Sequence, residues 1–241
     1  MLSRLMFWRR RRPVVPVVRL SGVIASAGGL RRGISLEAVE PQLKKAFAMR
    51  GARAVALIIN SPGGSPVQSA LIGKRVRDLA RKGNVPVLAF CEDVAASGGY
   101  MMACVADKLL ASQFAYIGSI GVLAQLPNFH KLLKKNDIDY EQHTAGEYKR
   151  TLTVFGENTD EGREKFREEL EAVHVMFKDW VSTNRKELDI AKVATGEYWY
   201  GSQALELGLI DGISTSDDYI MSVYPKRDIF AVKFMQKKKI L

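Results

Sequence analysis

The fold is indicated by two stretches of the chain, AVALIINSPGGS at residues 54–65 and VPVLAFCEDVAASGGY at residues 85–100. Each begins with an apolar run of strand length and ends in turn-forming residues. A helical pattern follows each of them, over residues 66–82 and 99–106. Strands that alternate with helices predict an α/β fold, with a mostly parallel sheet flanked by helices and right-handed crossovers.

The composition is that of a globular protein. The 241 residues are 47% hydrophobic and 26% charged, and they are enough for a full core. The sequence contains no internal repeat and no long linker, so we expect a single domain at residues 14–222. A basic, partly apolar lead precedes it at residues 1–13, and a basic extension follows at residues 223–241. Later in the domain, the pattern predicts a strand at 139–144 and a long helix at 159–185.

The net charge of +10 is partly concentrated at the two ends, in residues 9–12 and 237–239. Such clusters suit anionic lipid headgroups or nucleic acid, although a solvated tail is the commoner explanation. We find no motif that reads DNA or RNA, so we expect no nucleic acid partner and propose peripheral membrane contact through the basic ends. No apolar stretch reaches the roughly 18 residues of a spanning helix, which favours a soluble or peripheral protein on the cytoplasmic side. Cys91 and Cys104 are expected to be buried, reduced thiols, and no metal or cofactor is expected.

A serine between a buried strand and a glycine pair is a candidate nucleophile. Ser97 precedes Gly98 at a strand-to-helix turn, where the helix dipole is positive. The N–H groups of Gly98 and Gly64 can stabilise a developing oxyanion, because glycine leaves the backbone open to close approach. The alternative is that both glycine pairs are ordinary turns.

A nucleophilic serine needs a base. None of the histidines, at positions 130, 143 and 174, has a flanking motif typical of a triad partner. A lysine can accept the proton if it is uncharged, which requires burial or a nearby positive charge. Lys149, next to Arg150, is the candidate, and the alternative is a solvated surface lysine.

The chain resembles the S49 peptidase family, the signal peptide peptidase A group, and within it the SohB-type branch. The resemblance runs from about residue 17 to residue 220. It rests on residues 60–65, 95–100, 117–122 and 144–150, on 199–201 with Ala204, Gly208, Leu209 and Asp211, and on 155–159. One departure is Met101, where many relatives have a second tyrosine. Another is the start of the chain, where SohB-type proteins usually have a membrane-spanning segment, so periplasmic placement and an integral anchor are in doubt.

The resemblance implies a fold related to Clp protease and crotonase and a Ser–Lys dyad. By motif, Ser97 corresponds to the nucleophile, Lys149 to the general base and Ser119 to a serine that orients the lysine. Gly64 and Gly98 correspond to the oxyanion donors. Relatives form rings or domes in which neighbouring subunits supply the serine and the lysine, so we expect a homo-oligomer, of about eight copies by analogy.

The sequence therefore predicts a serine endopeptidase that cleaves extended, apolar peptides, such as signal-peptide remnants or damaged proteins, through an acyl-enzyme. The small residues near Ser97 suggest that substrate binds as an added strand. The candidate groove residues are Gly63, Ser65, Gly99 and Tyr100. The alternatives are a crotonase-like acyl-CoA enzyme, which needs no serine nucleophile, and a non-catalytic scaffold at a membrane surface.

Overall fold

The computed structural model describes residues 14–26, 33–224 and 228–232. The predictions about the basic lead and about residues 237–239 lie outside this part of the chain. The strands are β1 (Val14–Ser21), β2 (Val55–Ser61), β3 (Val87–Ala96), β4 (Lys108–Ala111), β5 (Tyr116–Gly118), β6 (Tyr198–Tyr200), β7 (Gly212–Ile213) and β8 (Asp228–Ala231). The helices are α1 (Leu36–Phe47), α2 (Pro66–Gly83), α3 (Gly98–Ala103), α4 (His130–Lys135), α5 (Asp160–Asn184), α6 (Ile190–Val193), α7 (Gly201–Glu206) and α8 (Ser216–Val223).

The strands form one sheet in the order β6-β5-β3-β2-β1-β8, and β4 pairs with both β3 and β7. All of these pairs are parallel except β5 with β6. The mostly parallel sheet with flanking helices is therefore confirmed. The last strand, β8, lies within residues 223–241 and pairs with β1.

Most residues of β2 and of the first part of β3 are apolar, because helices cover both faces of the sheet. In β2, the side chains of Val55, Leu57 and Ile59 on one face are fully buried, and on the other face Ala56 is fully buried and Ile58 is only 4% exposed. A strand that faced water on one side would alternate with polar residues instead. Because β2 and β3 are parallel neighbours, their carboxyl ends lie side by side at the same end of the sheet.

Strand β3 changes partners along its length. Its first part, from Leu88 to Cys91, pairs with β4, and its last part, from Val94 to Ala96, pairs with β5. The register with β2 shifts at the same place, between Ile59 and Ser61. The shift allows the end of β3 to leave β4 and lie beside β5, which sets the position of the residue that follows, Ser97.

The chain divides into two compact units. The first contains the described residues of 1–120 and 180–241, and the second is Gly121–Asp179. In the second unit, the helix predicted at 159–185 is present as α5, but residues 139–144 form no strand. They are exposed and have no neighbouring strand to pair with, so the local pattern alone does not produce one. No helix in the described ranges has the length and apolar character required to cross a membrane.

Candidate functional site

Ser97 lies in the turn between β3 and α3 with an unusual backbone conformation, φ 51° and ψ −122°. A positive φ is strained for a residue other than glycine and persists only where the surroundings hold it. Here the Ser97 N–H donates to the Gly118 carbonyl of β5 (2.7 Å), and the Ser97 carbonyl accepts from Met101 N–H in α3 (3.1 Å). The Ser97 side chain is half-buried. The turn therefore fixes the serine backbone and leaves its side chain partly accessible.

The glycine loop after β2 is clamped to Ile24. The Ile24 N–H donates to Gly63 O, and Ser65 N–H donates to Ile24 O, both at 2.8 Å. Because successive amides alternate in direction along an extended chain, the Gly64 N–H points away from Ile24. Gly64 has φ 138°, and a Cβ at this position would lie 2.1 Å from Ile24 O. Only glycine fits there.

The two glycine segments come together at Ser97. A Cβ built on Gly63 would lie 2.8 Å from the Ser97 Cβ and 3.0 Å from Gly98 N, and one built on Gly98 would lie 3.4 Å from Gly64 N. Gly98 is the first residue of α3, so its N–H has no partner within the helix. Within the described ranges, the Gly64 N–H also donates to no acceptor. Two available amide donors near a serine are the arrangement that stabilises an oxyanion in acyl transfer.

Two buried serines support this loop. Ser61 Oγ accepts from Gly63 N–H (3.2 Å), and Ser69 Oγ donates to Ser65 O (2.9 Å). Ser69 Oγ would also lie 2.4 Å from a Cβ on Gly98, so it packs directly against that residue. Sequence reasoning did not single out either serine. The available signal was the four-residue spacing of Ser65 and Ser69, which suits a side-chain bond back to the preceding turn.

The predicted groove residues have different surroundings. Ser65 is the N-cap of α2 and accepts from Gln68 N–H (3.3 Å), and Gly99 packs against Ser61, whose carbonyl would be 2.5 Å from a Cβ. The Tyr100 side chain is fully buried, and its hydroxyl donates to Leu209 O (2.8 Å). Burial raises the pKa of Tyr100 well above its usual value. Tyr100 is therefore a core residue, and its side chain does not line a groove.

Ser119 follows β5 as Ser97 follows β3. The pairing of Ala96 with Gly118 places the two serines at neighbouring strand ends. Ser119 also has a positive φ, of 50°, and its N–H donates to Glu197 O (2.7 Å). Its hydroxyl donates to Gly196 O (3.3 Å), which leaves the oxygen lone pairs of Ser119 available as acceptors.

Lys149 belongs to the second unit, where it is exposed in a turn closed by its own N–H donating to Gly146 O (3.1 Å). The site in the first unit thus brings together Ser97, Gly63, Gly64, Gly98 and Ser119. Cys91 and Cys104 are free and buried, as predicted. No group of three or more His, Cys, Asp or Glu side chains in the described ranges could hold a metal ion.

The model of peptidase family S49 matches residues 79–229 of the chain. The chain is 51% identical over 187 residues to a Haemophilus influenzae protein named "Probable protease SohB" and 47% identical over 187 residues to the Buchnera aphidicola (Acyrthosiphon pisum) protein of the same name. Each match covers 78% of this chain, and the chain spans about half the length of these relatives, 53% and 55%.

A Brucella abortus protein named as a Na⁺/H⁺ antiporter is 42% identical over 213 residues, which cover 87% of this chain but only 29% of that protein. That name describes a protein of which most lies outside the matched region. The family model covers more than half of this chain, and the two SohB relatives cover more than two thirds of it. The chain therefore belongs to peptidase family S49 and to its SohB-type branch.

Proposed function

We propose that this protein is a serine endopeptidase that uses Ser97 as nucleophile and Lys149 as general base. The observation that carries the proposal is the position of Ser97, in a strained strand-to-helix turn beside the open N–H groups of Gly64 and Gly98. Membership of a peptidase family supports the reaction class.

In the proposed reaction, neutral Lys149 takes the proton of the Ser97 hydroxyl while Oγ attacks the carbonyl carbon of the peptide bond. The Gly64 and Gly98 N–H groups bind the resulting oxyanion. The C–N bond then breaks, Lys149 returns the proton to the leaving amine, and an acyl-enzyme remains on Ser97. Water, deprotonated by Lys149, attacks the ester carbonyl and releases the acid, which regenerates the serine.

The lysine requires a second chain in this proposal. A lysine that accepts a proton must be neutral, and an exposed ammonium group in water stays charged. Lys149 is exposed in the single chain. We therefore expect a neighbouring subunit to cover it in a ring or dome assembly, with Ser119 of the serine's subunit accepting a hydrogen bond from the lysine.

The proposed substrates are extended, apolar peptides, such as signal-peptide remnants or damaged proteins. The support is the exposure of Gly64 beside Ser97, which leaves room for a peptide backbone to approach the serine.

The test is labelling with a fluorophosphonate, which reacts with activated serines. Wild type, Ser97→Ala and Lys149→Ala are compared by intact mass and by peptide cleavage, with assembly size measured on the same samples. We expect one adduct on wild type and none on either variant. Full cleavage by Ser97→Ala would contradict the proposal and favour a crotonase-like reaction, which needs only the two amide donors.

A matched control separates loss of charge from loss of the base. Lys165 lies in the same unit as Lys149 and stacks on the Tyr148 ring at 5.1 Å. Lys165→Ala removes an equal charge next to the same turn, and we expect it to keep the labelling of wild type. Equal loss in both variants would reject Lys149 as the base.

A further inference from the structure

Cationic side chains gather at the end of the first unit where the parallel strands begin. The ends of α1 and α2 are adjacent there, since a Cβ on Gly83 would lie 3.7 Å from Phe47 O. The loop after α1 is tied to the start of β1, because Val14 N–H donates to Gly51 O and Arg53 N–H donates to Val14 O, both at 3.0 Å. The exposed cations of these segments, here called the basic pole, are Lys44, Lys45, Arg50, Arg53, Arg81 and Lys82.

The positive charge of the basic pole is largely uncompensated. Lys44 pairs with Glu40 and Arg81 with Asp78. The other four cations form no ion pair with any described residue. Residues 41–53 and 79–86 contain no Asp or Glu. The carboxyl ends of two helices contribute about half a negative charge each, which leaves an excess of about three positive charges within these segments.

The helix ends do not account for the whole cluster. Cations in the last turn of a helix are common because they offset its dipole, and this explains Lys44, Lys45, Arg81 and Lys82. Arg50 and Arg53 lie instead in the loop between α1 and β2, where no helix end calls for them. Compensation of a helix dipole therefore does not explain the charges of Arg50 and Arg53.

The surroundings of the cations favour a lipid surface over single-stranded nucleic acid. Proteins that bind single strands place aromatic side chains between the cations for base stacking. Residues 41–53 and 79–86 contain one aromatic residue, Phe47, and it is buried. A cluster of Lys and Arg without aromatic side chains suits the smeared negative charge of an anionic leaflet. We propose that the basic pole docks on an anionic membrane surface.

Docking at the basic pole fixes the direction of the candidate site. The pole lies at the amino ends of the strands, and Ser97 and Gly64 lie beyond the carboxyl ends of β3 and β2. Strand β2 has seven residues, a span of about 20 Å. The serine end of the first unit therefore faces away from the bilayer and receives its substrate from the aqueous side.

The test is flotation of the full chain with vesicles of phosphatidylcholine, either pure or with about one third phosphatidylglycerol. The variant Arg50→Gln/Arg53→Gln/Lys82→Gln changes exposed side chains that form no ion pair with any described residue, so folding is expected to persist and is checked by circular dichroism. Each cation near an anionic leaflet strengthens binding about fivefold, so the triple variant is expected to bind roughly a hundredfold more weakly. Wild type is expected to bind only the anionic vesicles, and to release them at high salt.

The control is Lys131→Gln/Lys134→Gln/Lys135→Gln, which removes the same charge from exposed positions of α4 in the second unit. We expect it to bind like wild type. Equal weakening in both triple variants would show that net charge alone governs binding and would overturn the proposal. Three further results would also overturn it: no vesicle binding by wild type, tighter binding to an RNA oligonucleotide than to anionic vesicles, or loss of binding only when the arginines at 9–12 are replaced.

Discussion

The backbone of Ser97 has a positive φ, and its side chain stays partly exposed to solvent. Its positive φ is held by the Gly118 carbonyl on one side and by the packing of Gly98 and Gly99 on the other. The glycines at 63, 64, 98 and 99 permit this arrangement, since a Cβ at any of them would contact a neighbour at 3.0 Å or less. The backbone around the serine is thus determined residue by residue.

Replacing Gly64 with alanine tests the proposed oxyanion donor. The new Cβ would clash with Ile24 O at 2.1 Å, so the loop must move and carry the Gly64 N–H with it. We expect kcat for peptide cleavage to fall about 100- to 1,000-fold, the usual effect of losing one such donor. Steady-state kinetics, with circular dichroism to verify folding, provides the measurement.

The control for that variant is Gly208→Ala. Gly208 also has a positive φ, of 77°, but a Cβ there would meet only Leu188 Cδ1, at 3.7 Å. We expect a stability loss of about 1–2 kcal/mol and an unchanged kcat. A Gly64→Ala enzyme with full kcat would reject Gly64 as a donor.

The two cysteines predict a dependence on pH. Burial raises the pKa of the Cys104 thiol to about 12, and it raises the pKa of Cys91 further. In the unfolded chain a thiol has a pKa of about 8.5 and loses its proton above that pH, whereas the native state retains it. The contribution of the two buried thiols to the free energy of unfolding should therefore be fully present below about pH 8.5. It should decrease as pH rises toward 12.

Thiol titration with Ellman's reagent checks this at about pH 8. We expect no fast reaction in the native protein and reaction of both thiols in guanidinium chloride. Denaturant melts at increasing pH then measure the decline in stability. Rapid labelling of either native cysteine would show that its side chain is open to solvent.

At the scale of elements, helix α1 begins at a serine side-chain cap. Ser35 is buried, and its hydroxyl accepts from Ala38 N–H (3.3 Å), which satisfies one of the free donors of the first turn. The start of α1 is also tied to α2, because Leu36 N–H donates to the Gln68 side-chain oxygen (2.9 Å). Since Ser65, the cap of α2, lies in the glycine loop, these caps connect helix packing to the geometry of the site.

Removing the α1 cap with Ser35→Ala is expected to cost about 1 kcal/mol of stability and to lower Tm by about 2–4 °C. Differential scanning calorimetry measures it. Ser35→Thr keeps a hydroxyl at the cap and should remain within about half of that loss. If Ser35→Ala melts with wild type, the cap bond does not contribute to stability.

At the scale of the whole molecule, the second unit has little core of its own. Phe177 is its one buried residue, and many of its large apolar side chains are exposed, among them Leu123, Leu132, Ile138 and Met176. An exposed apolar surface of this kind is typical of a region that packs against a partner. This is consistent with the proposed assembly, in which a neighbouring copy covers the turn of Lys149.

Mixing two variants that are each expected to be inactive tests that assembly. Ser97→Ala retains Lys149, and Lys149→Ala retains Ser97. If each site combines residues of two subunits, co-expressed variants should form some sites with both residues intact and regain part of the peptidase activity, while each variant alone has none.

Assays on the co-purified assemblies, with separately purified variants mixed after assembly as a control, give the measurement. A mixed assembly with no activity, next to an active wild type of the same size, would place both residues of a site in one chain.

The sequence by itself determined the features that depend on neighbouring residues. The apolar runs at 54–59 and 85–90 predicted β2 and β3, the pattern at 159–185 predicted α5, and the glycine pairs predicted the turns at which Gly64 and Ser97 lie. These signals are local, because capping, turn formation and strand burial are set by a few consecutive side chains. The motif order was sufficient to identify the family.

The tertiary structure alone decided the features that depend on distant partners. The division of β3 between β4 and β5, the burial of Tyr100 against Leu209 and the support of the glycine loop by Ile24, Ser61 and Ser69 all join segments far apart in the chain. So does the gathering of cations from α1, α2 and a loop into one basic pole. No local pattern encodes such contacts, because they arise only when the parallel strands bring their ends together at the two edges of the sheet.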